Sequence, residues 1–181
     1  MNHQGTKTLE TERLILRKFD LNDSEAMYRN WASDPEVTKY LTWETYQSVS
    51  EADSILAMWA KDYEKPDFYQ WAVVLKEISE PIGSISVVNM EDDIPEIGYC
   101  IGKAWWNMGI TTEALKRVMK YLFEEVEVKK IIARHDVRNP ASGMVMKKAG
   151  MKYTGIENNQ GIGDYAEYAL TEQRMAKRLR K

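Results

Sequence analysis

The feature that most restricts the fold is a strand, a short turn and a helix laid end to end between residues 94 and 126. Ile94 to Ile101 reads as a strand. Beyond a turn carrying Gly102 and Gly109, the residues Ala114, Leu115, Val118, Met119, Leu122, Phe123 and Val126 recur at helical period. That spacing predicts a helix over Thr111 to Val126 with one buried face. Its first turn presents unpaired backbone N–H groups at a positive dipole end, which is what a phosphate or pyrophosphate needs. The same turn also suits an ordinary helix start, with Thr111 or Thr112 as the cap.

The flanking segments arrange themselves around this unit. Glu12 to Phe19 reads as a first strand ending at a cap formed by Asp20 and Asn22, and Asp23 to Ala32 as a helix that Asp34-Pro35 breaks. A second helical pattern begins at Ser48 or Ser50, with Ala52, Ile55, Leu56 and Trp59 at helical spacing. Tyr69 to Leu75 and Pro81 to Val88 form an antiparallel pair joined by the turn Lys76 to Glu80. After the long helix come a strand over Lys130 to Val137 and a short helix over Ala141 to Ala149, closed by Gly150. A hairpin of Lys152 to Ile156 with Tyr165 to Leu170 turns around residues 158–163. No repeat, linker or composition break divides the 181 residues. The expectation is one domain over 8–175, with tails at 1–7 and 176–181.

Composition removes several function classes. Lys and Arg number 25 against 28 Asp and Glu, a net charge of -3, which lacks the basic excess of a nucleic-acid binder. The basic end, Arg174 to Lys181, suits a solvated helix terminus, with contact to RNA or a ribosome as the alternative. One cysteine and two histidines are too few and too scattered for a zinc site, so no metal is expected. No stretch reaches the roughly 18 apolar residues of a membrane span, and Met1 to Glu10 is polar, so the expected location is cytoplasmic. Gly98 to Lys103 is one residue short of a Walker loop and is followed by Ala104, and no G-x-G-x-x-G joins a strand to a helix.

Four segments carry a resemblance. Glu96-Ile97-Gly98-Tyr99, the run Trp105 to Leu115, Asn139-Pro140-Ala141-Ser142 and Lys148-Ala149-Gly150-Met151 are together similar to the GNAT superfamily of acetyltransferases. Within it, the opening Glu10 to Arg17 resembles the RimJ/RimL-like branch, so the likeness runs from about residue 8 to 171. The resemblance implies an α/β (α+β) fold, a mixed, largely antiparallel twisted sheet flanked by helices. It implies acetyl-CoA as co-substrate and transfer of its acetyl group to an amine. The family's cofactor loop, Q/R-x-x-G-x-G/A, maps onto Trp106 to Thr111, with Trp106 in the first place and a β-branched Thr111 in the last. It also implies that the backbone amides of Met108, Gly109, Ile110, Thr111 and Thr112 cradle the pyrophosphate. Cys100, Ile101 and Gly102 then offer strand edge to the pantetheine chain, Asn139 holds that chain, and Ser142 faces the thioester sulfur. Asn139 and Ser142 suit a plain helix start as well, with Pro140 at its first position.

Transfer to an amine requires a neutral nitrogen, a polarised carbonyl and a proton for the thiolate. The resemblance places Glu96 near the reacting carbon, which makes it the candidate base, with a surface strand residue or a structural hydrogen-bond partner as the alternative. Ser142 is the candidate acid, because Met146 stands seven residues after Asn139, where many relatives place a tyrosine. Cys100 suits a small core residue, so direct attack without an acyl-enzyme is expected. Glu91-Asp92-Asp93 would form an acidic rim or a solvated turn. Trp31, Tyr40 and Trp43, with Tyr46, would line the acceptor side or pack the core. The acceptor is read as a protein N-terminus, with a polyamine or antibiotic as the alternative, or else a non-catalytic acyl-CoA sensor. Nothing in the sequence separates a monomer from a homodimer.

Overall fold

A computed structural model describes residues 1–159 and 163–179. Among them, eight strands form one sheet: β1 (Leu9–Glu10), β2 (Leu14–Arg17), β3 (Gln70–Leu75), β4 (Glu80–Glu91), β5 (Ile94–Ile101), β6 (Lys130–Asp136), β7 (Lys152–Asn159) and β8 (Gly163–Thr171). They lie in the order β1-β2-β3-β4-β5-β6-β8-β7, antiparallel except where β5 meets β6. That is the mixed, largely antiparallel sheet expected.

The helices form two layers. Six apolar positions of the long helix α4 (Ile110–Glu124) and Val126 just beyond it, all those the periodicity singled out, are buried in a core that also takes up α5 (Pro140–Ala149). On the opposite face Trp31, Leu56, Ala72 and Val74 share a second core with the N-terminal helices. The first of these helices is irregular. Asp20 caps a 3-10 turn at Leu21–Asp23, α1 (Ser24–Met27) follows, and Tyr28–Ala32 winds as a π turn in which Ser33 Oγ donates to the Tyr28 carbonyl at 2.7 Å. Asp34-Pro35 ends that run and starts another, α2 (Pro35–Thr38), because Asp34 caps Glu36 N–H and Pro35 needs no donor. Helix α3 (Val49–Asp62) begins at a Ser48–Glu51 capping box.

One segment departs from the sequence reading. Residues 2–7, expected as a tail, are stitched to the domain: Thr6 Oγ1 donates to Phe68 O, Gln70 N–H donates to Thr6 Oγ1, and Tyr121 donates to Gly5 O at 2.7 Å. A polar segment carries no apolar signature, yet it satisfies buried donors here. Glu172 to Leu179 forms a further helix, α6, which includes much of the basic end. Residues 160–162 of the expected hairpin turn and residues 180–181 lie outside the described residues.

The parallel contact positions the site. Strands β5 and β6 share a single register pair, Glu96 with Ile132. Beyond it the following halves of the two strands are not laddered to each other, and α4 and α5 begin there.

Candidate functional site

A cavity of about 520 Å³ occupies this opening. Tyr99, Cys100 and Ile101 of β5 form one wall, Asn139, Ser142 and Val145 of α5 another. Asn107 and Gly109 to Thr112 close one end, and Val37 and Tyr40 stand across from them. The loop reaches its shape through two left-handed residues, Asn107 at φ +62° and Gly109 at φ +76°. Glycine takes that conformation without a Cβ penalty.

Gly109, and not Thr111 or Thr112, stands at the N-cap of α4, and no side chain caps the helix. The first N–H groups of this 15-residue helix therefore lack a side-chain cap at residues that line the cavity, an arrangement suited to a phosphate group. Asn139 occupies the N-cap of α5 with Pro140 behind it, and its side chain makes no capping bond although it lines the cavity. The walls fit an elongated thiol-bearing nucleotide: apolar along Ile101 and Val145, with polar groups at Asn139, Ser142 and the loop.

Ser142 is held by a residue that sequence reasoning had named only within a motif. Ser142 Oγ donates to the Tyr99 hydroxyl at 3.0 Å, and that hydroxyl donates to the Ser142 carbonyl at 2.9 Å. Burial pushes the Tyr99 phenol far up, so it stays protonated. The two residues lie 43 positions apart, and only the fold brings them together. Cys100 lines the same wall, its Sγ 3.7 Å from Ser84 Oγ, and burial pushes its thiol up, which leaves it a poor nucleophile.

Glu96 stands three residues before Tyr99 on β5 and is not part of the cavity wall. Its Oε2 accepts from Arg134 Nη1 at 2.7 Å, and the same guanidinium meets Glu167 at 2.8 Å and Glu157 at 3.0 Å. Burial pushes the Glu96 carboxyl up and Arg134 pulls it down; with Glu167 and Glu157 adding to the rise, it ends above its ordinary value. Glu91, Asp92 and Asp93 make the β4–β5 turn, Asp92 and Asp93 at positive φ. Tyr40 lines the cavity with the Arg138 guanidinium 5.8 Å from its ring centre, and Arg138 is itself bound to Asp136.

Two expected site residues lie elsewhere, and Met108 and Gly102 are not among the residues that line the cavity. Trp31 is 1% exposed and packs near Phe19, so it supports the wall from the interior and cannot touch an acceptor. Trp43 stacks on Tyr46 at 5.2 Å and lines a shallower hollow with Pro35 and Lys39. Met108 points outward, 52% exposed. Gly102 has no room for a side chain: a Cβ there would collide with the Asn30 carbonyl and come within 2.7 Å of the Trp105 ring. Gly102→Ala is therefore expected to cost about 1–3 kcal/mol of stability, read as a lower thermal midpoint. An unchanged midpoint would show that the Asn30 turn yields freely.

Among the described residues no group of three or more His, Cys, Asp or Glu is placed to hold a metal ion, and no helix is long and apolar enough to cross a membrane.

Residues 13–152 match the acetyltransferase (GNAT) domain family. The chain is 30% identical over 152 residues to the N-acetyltransferase p20 of Bacillus licheniformis, covering 83% of this chain and 85% of that one. The crystal structure of a GNAT-family acetyltransferase from Bacillus anthracis superposes with a TM-score of 0.80 at 26% identity, covering 92% of this chain and 99% of that one. RimL, a ribosomal L7/L12 α-N-protein acetyltransferase solved in complex with coenzyme A, shares the fold at 17% identity with a TM-score of 0.81, covering 91% and 98%.

Proposed function

The chain belongs to the GNAT acetyltransferase family, and from that premise we propose that it acetylates the α-amine of a protein or peptide N-terminus. It is an acetyl-CoA-dependent N-acetyltransferase. When bound, acetyl-CoA supplies an activated acetyl group and carries away the thiol.

The chain's own residues take the remaining tasks in this reading. N–H groups of the 108–112 loop bind the pyrophosphate, and Asn139 with the Cys100–Gly102 strand edge orients the pantetheine chain. A backbone N–H of the Cys100–Ile101 segment orients the acetyl carbonyl. Glu96 accepts the amine proton through water, since its place outside the cavity wall leaves a gap to bridge. Ser142 Oγ, oriented by Tyr99, holds the proton that the departing sulfur takes up.

The observation that carries the choice of acceptor is the partly buried carboxylate cluster around Arg134. Three carboxylates around one guanidinium leave a local excess of negative charge, which draws a cationic amine. The base is a carboxylate, which favours a weakly basic amine. An α-amine at about 7.7–8.0 gives up its proton to a carboxylate more readily than a lysine-type amine at about 10.4, by roughly 2.5 units. RimL, which shares the fold, is itself described as an α-N-protein acetyltransferase.

An acceptor panel tests the reading: peptides with a free N-terminus and no lysine, N-blocked peptides with a lysine, and a diamine, each followed by mass. Acetylation of the free N-terminus, at least about tenfold faster than of the other two, is expected from the difference in amine basicity. Acetylation of the diamine alone would overturn the choice of acceptor in favour of a small-molecule enzyme.

A further inference from the structure

The geometry points to Arg13 as a positioning residue for the anion: it cancels the Glu113 carboxylate and the Met108 carbonyl, two negative ends that would otherwise oppose a pyrophosphate at the N-terminus of α4. This inference rests on the reading of the 108–112 loop as the acetyl-CoA site.

Glu113 lies in the first turn of α4, one turn beyond Gly109, whose carbonyl accepts from Glu113 N–H. A carboxylate in that place is attracted by the helix dipole and takes up part of the field that an incoming anion would use. Burial pushes this carboxyl up, but the bonds from Thr11 and Arg13 outweigh it and hold it below the usual carboxylate range. Glu113 is therefore a full negative charge at neutral pH. Within the same turn, an uncompensated like charge would cost a bound anion on the order of 30-fold in affinity at an effective dielectric of about 20.

Arg13 meets this charge with its whole fork. Nε and Nη2 each stand 2.7 Å from Glu113 Oε2, the Arg13 backbone N–H donates to Oε1 at 3.1 Å, and Thr11 Oγ1 donates to the same oxygen at 2.6 Å. The third nitrogen, Nη1, donates to the Met108 carbonyl at 2.9 Å. All three guanidinium nitrogens are thus committed to neighbours of the loop, so its role is to neutralise them. The guanidinium also lies against the loop itself, with Nη2 3.7 Å from where a Cβ on Gly109 would stand. The peptide plane adds a second consequence. Met108 C=O and Gly109 N–H belong to one trans peptide and point opposite ways, so holding the carbonyl toward Arg13 turns the Gly109 donor away from it.

Calorimetric titration with coenzyme A tests this without reference to turnover. Arg13→Gln should weaken binding about 30-fold, the cost of exposing the Glu113 charge. The double variant Arg13→Gln/Glu113→Gln should recover to within about 3-fold, because neither charge remains. Arg13→Lys, which keeps the charge and loses the fork, should stay within about 5-fold. Both glutamine variants lack the guanidinium brace, so a merely structural role predicts that they are equally weak. Equal weakness, or an Arg13→Gln variant that binds as well as the unaltered chain, overturns the inference and leaves the loop reading intact. Failure of the unaltered chain to bind coenzyme A overturns both.

Discussion

Glu96→Gln should lower kcat/KM for a peptide N-terminus by about 100- to 1,000-fold, within the range for loss of a general base, while acetyl-CoA binding stays unchanged. The substitution keeps the shape of the side chain, and Arg134 retains Glu167 and Glu157 as partners, so the sheet should hold. The pH profile separates a base from a structural partner. Glu96 must be ionised to accept a proton, and its carboxyl sits above the ordinary value. In the unaltered enzyme, log kcat/KM should therefore rise with a slope of two below the Glu96 pKa. It should rise with a slope of one between that pKa and that of the amine, near 7.7–8.0, and then level off. In Glu96→Gln the lower break should vanish and the amine break remain. A variant that keeps both the lower break and its rate removes Glu96 from the chemistry.

Gly109→Trp should weaken acetyl-CoA binding by on the order of 100-fold, the equivalent of about 3 kcal/mol or one to two charge-assisted hydrogen bonds. Two effects combine. A φ of +76° is strained for any residue with a Cβ, so the backbone relaxes and the N–H groups of Ile110 to Thr112 lose their aim. The indole then crowds the space in which backbone must approach the ligand. A Cβ at Gly109 meets only Arg13 Nη2 at 3.7 Å, so the fold itself should survive. Near-wild-type affinity in this variant would mean that the pyrophosphate is held elsewhere.

The part of this architecture that the sequence makes legible is the part governed by local periodicity. The helical spacing from Ala114 to Val126 and that of Ala52, Ile55, Leu56 and Trp59 each specify an element through nearest-neighbour physics, and each element forms there. The π turn at Tyr28–Ala32 has no periodic signature, and the burial of Trp31, the core alternative of its two readings, depends on Phe19 and Leu56, which arrive from other elements. Site residues divide in the same way. Asn139, Ser142 and the 109–112 turn were named through the family resemblance, and they line one cavity. The Tyr99–Ser142 pair and the Arg134 cluster join residues more than 20 positions apart, and no one-dimensional pattern encodes such meetings. Met146, which stands where a tyrosine acid was sought, is buried in the core at 1% exposure.

Titration of the unaltered protein with acetyl-CoA tests the central claim most directly. Saturable binding is expected with a Kd in the micromolar range, about -8 kcal/mol, from a cavity whose loop amides and apolar walls are already in place. Absence of binding at millimolar acetyl-CoA would contradict it, leaving a GNAT fold whose cavity serves another ligand.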